Sequence, residues 1–492
     1  IVGIRNASFT GVDLHSGSNN IDHRTSEISV KELIVRRGQP FKFTLKLAKP
    51  FKLALDELIM TVKTVQRLPS AKAVWKAELQ RSTAPETGIL TLSITPSVDS
   101  PVGEYTMSAR LGEEERALAN LSVLSAFCVI LFHVSLFSTG DVVFLPDEVE
   151  RKEYVMNEQG IIYKGVDNYI APIHWDYGQF EQDMVNICMK ILDCSMKHKQ
   201  DPAKDVSARC NPVYVSRVIT SMINSENEGG ILKGNWGNDF RGGVSPTHWS
   251  SSYPILKNWF NACFCSVKYG QCWVFSGVMC SVMRLLGIPC RVITNYQSAH
   301  DTNKNLIIET YFADYGVREK ESKDSVWNYH VWVEGWMKRP DLAKDGRYDG
   351  WQVLDPTPQE KSDGMFCCGP APVSAIRNGD THLKYDVPFL FAAVNADCIT
   401  WQLLIEPFKY ISTKSVGTNR RMDITDSYKQ KEGGLTCDSK VVRLLSINIS
   451  VQAMRYTGRP AGNILANSTE QQLMPGRGDF LRRPFIEYSC LL

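Results

Sequence analysis

Apolar and polar residues alternate along several short stretches of roughly the first 120 residues: Phe41, Phe43, Leu45 and Leu47, then Leu90, Leu92 and Ile94, then Tyr105, Met107, Ala109 and Leu111. A period of two marks strands with one buried face. Turn-forming segments, Gly17-Ser18-Asn19-Asn20 and Thr95–Gly103, separate them. Short alternating strands joined by loops predict an N-terminal immunoglobulin-like β-sandwich over residues 1–140.

From about residue 146 the period lengthens. Phe180, Met184, Ile187, Cys188, Ile191 and Leu192 fall on one helical face, as do Val215, Val218, Ile219 and Met222 after Pro212, a residue suited to a helix start. A third helix is predicted from Cys272 to about Leu286, stopped by Gly287 and Pro289. Strand-like Arg291–Thr294, Tyr329–Glu334 and Trp351–Leu354 follow. Helices first and strands after predict an α+β domain over residues 141–434. Leu435–Leu492 has no sustained period and carries Pro460, Pro475 and Pro484, so an irregular, disordered tail is expected there.

Composition narrows the class. A chain of 492 residues with 43% hydrophobic and 22% charged residues is a globular protein of two or three domains. Lys+Arg 55 against Asp+Glu 53 gives no basic surplus to attract nucleic acid. The 14 cysteines form no C-x-x-C pair, and Ile1–Thr10 has neither a basic start nor an apolar run. Reduced thiols and a cytoplasmic location, with export by a non-classical route, are therefore expected. The apolar run Asn120–Thr139 is interrupted by Ser122, Ser125, His133 and Ser135 and reads as buried strands and a connection rather than a membrane span.

One constellation carries chemistry. Cys272 stands at the predicted helix entrance in K-Y-G-Q-C-W, where the positive end of the helix dipole favours thiolate. Cys280 and Cys290, among apolar neighbours, read as buried structural thiols. A nucleophilic thiol needs a base, and the base an orienting group. His330 lies in the strand W-N-Y-H-V-W-V-E, and Asp355 ends the strand W-Q-V-L-D before Pro356. Met337–Gly350 is polar enough to be a hairpin loop joining those strands, which would set Asp355 against His330. Taken alone, His330 also reads as a satisfied core histidine and Asp355 as a turn former. The order Cys, His, Asp fits a papain-like thiol enzyme.

The motifs K-Y-G-Q-C-W-V-F-S-G, R-V-I-T-N-Y-Q-S-A-H-D, W-N-Y-H-V-W-V-E-G-W and G-W-Q-V-L-D-P-T-P-Q-E closely resemble those of the animal transglutaminases, as do V-R-R-G-Q-P-F and N-P-V-Y-V-S-R-V. The resemblance covers about residues 20–115 and 145–433. It implies a triad of Cys272, His330 and Asp355 that moves the acyl group of a protein glutamine to a lysine or other small primary amine, releasing ammonia. It also implies that the Trp236 indole, in G-N-W, completes the oxyanion hole and that Trp327 walls the amine tunnel. Calcium is the implied cofactor, at three sites: Asp301, Asn303 and Asn305 with Asp324; Asn224 with Glu228; and Asn395 and Asp397 with Glu432. Where the family has a last glutamate, five positions beyond Glu432, this chain has Cys437.

Departures matter too. No counterpart of the family's C-terminal β-barrels follows Gly433, and Asn168-Tyr169 stands where nucleotide-regulated members carry a basic-aromatic pair. Control by guanine nucleotide is therefore not expected. The alternative reading is an inactive, truncated relative acting as a binding protein, and a thiol protease is a third. Retention of Cys272, His330 and Asp355 argues against a relative that has lost its nucleophile but leaves the truncated form open, and Trp236, Trp327 and the calcium loops argue against the protease.

Overall fold

The computed structural model describes residues 8–52, 54–64, 75–125, 141–166, 169–227, 229–311, 323–401, 413–417 and 420–429. Two units divide the chain: Ile1–Gly160 with Trp175–Arg291 and Gly335–Lys338, and Ile161–His174 with Val292–Glu334 and Arg339–Leu492.

In the first unit the alternating stretches become strands. β1 (Phe9–Asp13), β2 (Ile34–Arg36), β3 (Phe41–Leu47), β4 (Leu58–Thr64), β5 (Lys76–Leu79), β6 (Ile89–Thr95), β7 (Gly103–Leu111) and β8 (Glu114–Leu124) form two four-stranded sheets, ordered β1-β3-β6-β5 and β2-β8-β7-β4. Phe41, Phe43 and Leu45 pair with Ile94, Leu92 and Leu90 across one sheet. They pack in one core with Val35, Tyr105, Met107, Ala109, Leu121 and Val123 of the other, so this is a sandwich. Each fully buried aliphatic or aromatic side chain contributes about 1.5–3 kcal/mol relative to exposure.

The segment Gly17–Asn20 is not a turn. It lies in a helix, Ser16–Asp22, with Asn19 and Asn20 buried. Their side-chain amides bond remote backbone: Asn19 Nδ2 donates to the Leu14 and Lys42 carbonyls, both at 2.7 Å, and Asn20 Nδ2 to Ser29 and Glu32 at 2.8 and 2.7 Å. Local turn preference lost to these long-range bonds. Burial also explains the V-R-R motif. Arg37 makes a bidentate pair with Asp141 at 2.6 and 2.8 Å. The Arg36 backbone N–H donates to His23 Nδ1 at 2.8 Å, and burial chiefly pushes the His23 pKa down to about 3.

Three helices of this unit position the candidate chemistry. Met184–Asp193 buries Met184, Ile187, Cys188, Ile191 and Leu192, whereas Phe180 lies in the turn before it. The break comes at Asp183, whose φ of 66° cannot continue a helix. Pro212–Ile223 starts with Pro212 in its first turn and the Asn211 side chain capping the Val213 N–H at 2.9 Å. Cys272–Leu285 is buried at every residue and ends before Gly287, whose φ is 85°. Midway, Gly277 lets the helix close on Trp175: an added Cβ would sit 2.4 Å from the indole Cε2.

Beyond the sandwich, β9 (Gln159–Val166) pairs with β10 (Tyr169–Asp176), and β11 (Leu232–Gly234) runs parallel to β12 (Val267–Gly270). The second unit is built on a six-stranded sheet. With β13 (Cys290–His300), β14 (Ile307–Tyr311), β15 (Ser325–Met337), β16 (Gly350–Asp355), β17 (Cys368–Pro372), β18 (Asp397–Trp401), β19 (Thr413–Gly417) and β20 (Arg420–Asp423), its order is β17-β16-β15-β13-β19-β20. β14 and β18 form a separate parallel pair. The three expected strands are present and longer than predicted. The fold is α+β, with an N-terminal β-sandwich.

Asn120–Leu124 completes β8, while residues 126–140 and the expected tail Leu435–Leu492 lie outside the described residues. Among the described residues no helix is long and apolar enough to cross a membrane.

Candidate active site

Cys272 is the first residue of its helix, follows extended Gln271, and is 4% exposed. The parallel pairing of β11 with β12 draws Leu232 beside Val267 and Gly234 beside Gly270. That register carries Asn235 and Trp236 to the helix entrance. The Asn235 N–H donates to the Gly270 carbonyl at 3.1 Å, and Gln271 Nε2 to the Asn235 carbonyl at 2.9 Å. Trp236 stacks on Phe275 with ring centroids 6.3 Å apart and remains 46% exposed. An aromatic so exposed, fixed on one face by stacking, contributes little to a core.

Cys272 and Cys280 are free thiols. Cys280 is fully buried, as its apolar neighbours suggested, and its thiol donates to the Cys290 carbonyl at 3.6 Å. Burial opposes its ionisation, but contacts with Cys290, Arg284 and Tyr177 outweigh burial and hold its pKa below the ordinary thiol value. With no exposed surface it is closed to large reagents.

In the second unit the hairpin of β15 and β16 joins His330 to Asp355. Both are buried, and His330 Nε2 lies 2.7 Å from Asp355 Oδ2. An ionised carboxylate only accepts, so the Nε2–H donates and the neutral ring keeps its basic lone pair on Nδ1. Asp355 is itself oriented by the Thr357 N–H, which donates to Oδ1 at 2.9 Å. Gln359 adds a contact that sequence reasoning missed: its amide sits 2.6 Å from His330 Nε2 and 3.4 Å from Asp355 Oδ2. The signal was its place just past the Pro-Thr-Pro turn, which folds the chain back over the strand end. Trp327 meets the His330 ring edge-on at 5.2 Å, and Trp332 flanks it at 5.8 Å.

The oxygen-rich loop is ordered by its own side chains. Asp301 Oδ1 accepts from the Asn303 and Lys304 N–H groups at 3.1 and 2.8 Å, and Oδ2 from Leu306 at 2.7 Å. Asn303 and Asn305 accept from Asn305 and Ile307. Asp324 joins them, accepting from the Thr302 N–H and hydroxyl at 3.0 and 2.7 Å. Asp397 is also brought here, its N–H donating to the Leu306 carbonyl at 3.0 Å, and Asn395 ends the preceding helix. Asn224 lies elsewhere, buried at the end of Pro212–Ile223, where its Oδ1 accepts from the Glu226 N–H at 3.2 Å. Glu228 and Glu432 lie outside the described residues. Among the described residues no group of three or more His, Cys, Asp or Glu is placed to hold a metal ion. The set around Asp301 and Asp324 is nonetheless all oxygen, with amide and carbonyl groups at hand, which fits a hard cation.

Comparison with known proteins gives a consistent result. Residues 10–112 match a model of the transglutaminase family, and residues 256–356 a model of the transglutaminase-like superfamily. Protein-glutamine gamma-glutamyltransferase 6 of Homo sapiens is 46% identical over 88% of this chain and 63% of its own length. Protein-glutamine gamma-glutamyltransferase 5 of Homo sapiens is 44% identical over 97% of this chain and 68% of its own. The crystal structure of red sea bream transglutaminase aligns with a TM-score of 0.79 at 38% identity, covering 89% of this chain and 68% of that one. This chain therefore spans about two thirds of the length of these relatives.

Proposed function

Because the chain belongs to the transglutaminase family, we propose that it transfers acyl groups from protein glutamine side chains to primary amines, with Cys272 as nucleophile, His330 as base and Asp355 as orienting group. The observation that carries this reading is the buried His330–Asp355 pair, whose Nε2 and Oδ2 are 2.7 Å apart.

The Cys272 thiolate attacks the glutamine carboxamide carbon. As the C–N bond breaks, the His330 imidazolium gives its proton to the departing ammonia and a thioester remains. A lysine or small primary amine then adds, His330 takes the amine proton, and the C–S bond breaks to leave an isopeptide link and free Cys272. Water in place of the amine yields glutamate. The Cys272 backbone N–H and the Trp236 indole N–H stabilise the oxyanion of each tetrahedral intermediate. Trp327, edge-on to His330, shields the thioester from water. Calcium, when bound, would supply positive charge to the loop of Asp301, Asn303, Asn305 and Asp324, with Asn224 and Glu228, and Asn395, Asp397 and Glu432, as further ligands.

The test is incorporation of a fluorescent primary amine into a glutamine-bearing protein, with calcium or chelator, by the wild-type chain and Cys272→Ala. Incorporation that needs both calcium and Cys272 is expected. Incorporation that survives Cys272→Ala overturns the assignment, and cleavage of the acceptor protein instead would make the chain a thiol protease.

A further inference from the structure

A cavity of about 390 Å³ in the second unit is lined by Lys304, Lys361 and Lys384 together with Asp363 and Asp386. Its size is that of a site for a small side chain or ligand. The three lysines are exposed. Two of them are held over aromatic rings, Lys361 over Phe366 at 5.6 Å and Lys384 over Tyr385 at 4.9 Å. The backbone around the cavity is unusual. Lys304, Asp363, Tyr385 and Asp386 all have positive φ, at 63°, 51°, 69° and 73°. Non-glycine residues hold this conformation uncommonly, and such strain gathers at ligand sites.

We propose that this cavity binds the carboxylate of an acidic residue in the protein substrate, close in sequence to the residue being modified. This deepens the acyl-transfer reading and rests on it. Three lysines against two aspartates leave a single surplus positive charge, which suits one carboxylate and disfavours a dense polyanion. Phe389, on the cavity wall, offers an apolar face to the side-chain stem. A line of ring contacts leads from it to the base: Phe389 to His300 at 5.8 Å, His300 to Trp327 at 6.2 Å, and Trp327 to His330 at 5.2 Å. An extended peptide covers that path with no more than about five residues. The cavity thus acts as a specificity site for acidic sequence context.

Two glutamine peptides, differing only in a glutamate or a serine near the target glutamine, test this on the full chain and on Lys361→Gln/Lys384→Gln. Lys304 is left unchanged because it lies in the oxygen-rich loop. The wild type should use the acidic peptide about tenfold better through KM, as two screened ion pairs allow. The double variant should lose that preference while its kcat and its use of the serine peptide stay unchanged. Anisotropy with the acidic peptide carrying asparagine at the target position measures binding without turnover. Lysine-dependent, salt-sensitive binding in a chain that turns over neither peptide keeps the cavity assignment and rejects the acyl-transfer reading. Equal use of both peptides by the wild type, equal loss for both in the variant, or a sulfated polysaccharide that outcompetes the peptide through these lysines would each overturn the assignment.

Discussion

The Cys272 helix and the His330–Asp355 hairpin hold their candidate catalytic groups by opposite means. The cysteine is positioned by packing: its helix is buried at every residue and closes on Trp175 where Gly277 has no side chain. The histidine is positioned by its polar contact to Asp355, whose Oδ2 the Gln359 amide also reaches. Packing fixes where a group stands and tolerates no added volume. A hydrogen-bond pair fixes the tautomer and tolerates almost any isosteric change that leaves the shape intact, at the expense of chemistry. The first region should therefore fail in stability and the second in turnover.

Asp355→Asn should break the second region most sharply. The amide preserves shape but no longer selects the Nε2–H tautomer, and such a change elsewhere lowers kcat about 10⁴-fold. Steady-state kinetics beside an unchanged thermal midpoint would support this, and near-normal kcat would show that Asp355 does not orient the base. Trp236→Phe should come next, with kcat down about 10²–10³-fold and KM little altered, since only an indole N–H is lost. An unchanged kcat would move the oxyanion donor to another group. Gly277→Ala should act on the first region and on stability. Its Cβ would meet Trp175 Nε1 at 2.5 Å, and that indole N–H is committed to Ser252 Oγ at 2.9 Å. Overpacking of this kind costs about 1–3 kcal/mol. Denaturant unfolding checks it, and wild-type stability would mean that the helix relaxes away from Trp175.

Much of this was legible in the sequence because the signals were local. Alternation gave the sandwich strands, and Pro212, Gly287 and the apolar period gave two helices close to their observed limits. The hairpin that joins His330 to Asp355 followed from two strands and one polar loop. What escaped was set by distant partners. Gly17–Asn20 is rich in turn formers, yet Asn19 and Asn20 spend their amides on backbone far along the chain. Phe180 keeps helical phase but precedes the helix, because Asp183 breaks it. Gln359 looked like loop, since its contact depends on how the chain turns after Asp355. Cys280 was legible as a buried thiol, but its contacts with Tyr177, Arg284 and Cys290 were not, because they come from elsewhere in space.

The pairing of β14 with β18 has a wider consequence. Ile307 stands opposite Asp397, and the Leu306 carbonyl accepts the Asp397 N–H. The loop that begins at Asp301 and the turn at Asn395–Asp397 therefore share one short ladder. The two stretches, about ninety residues apart in sequence, are thus held by the same backbone bonds, and a substitution that loosens this ladder loosens both.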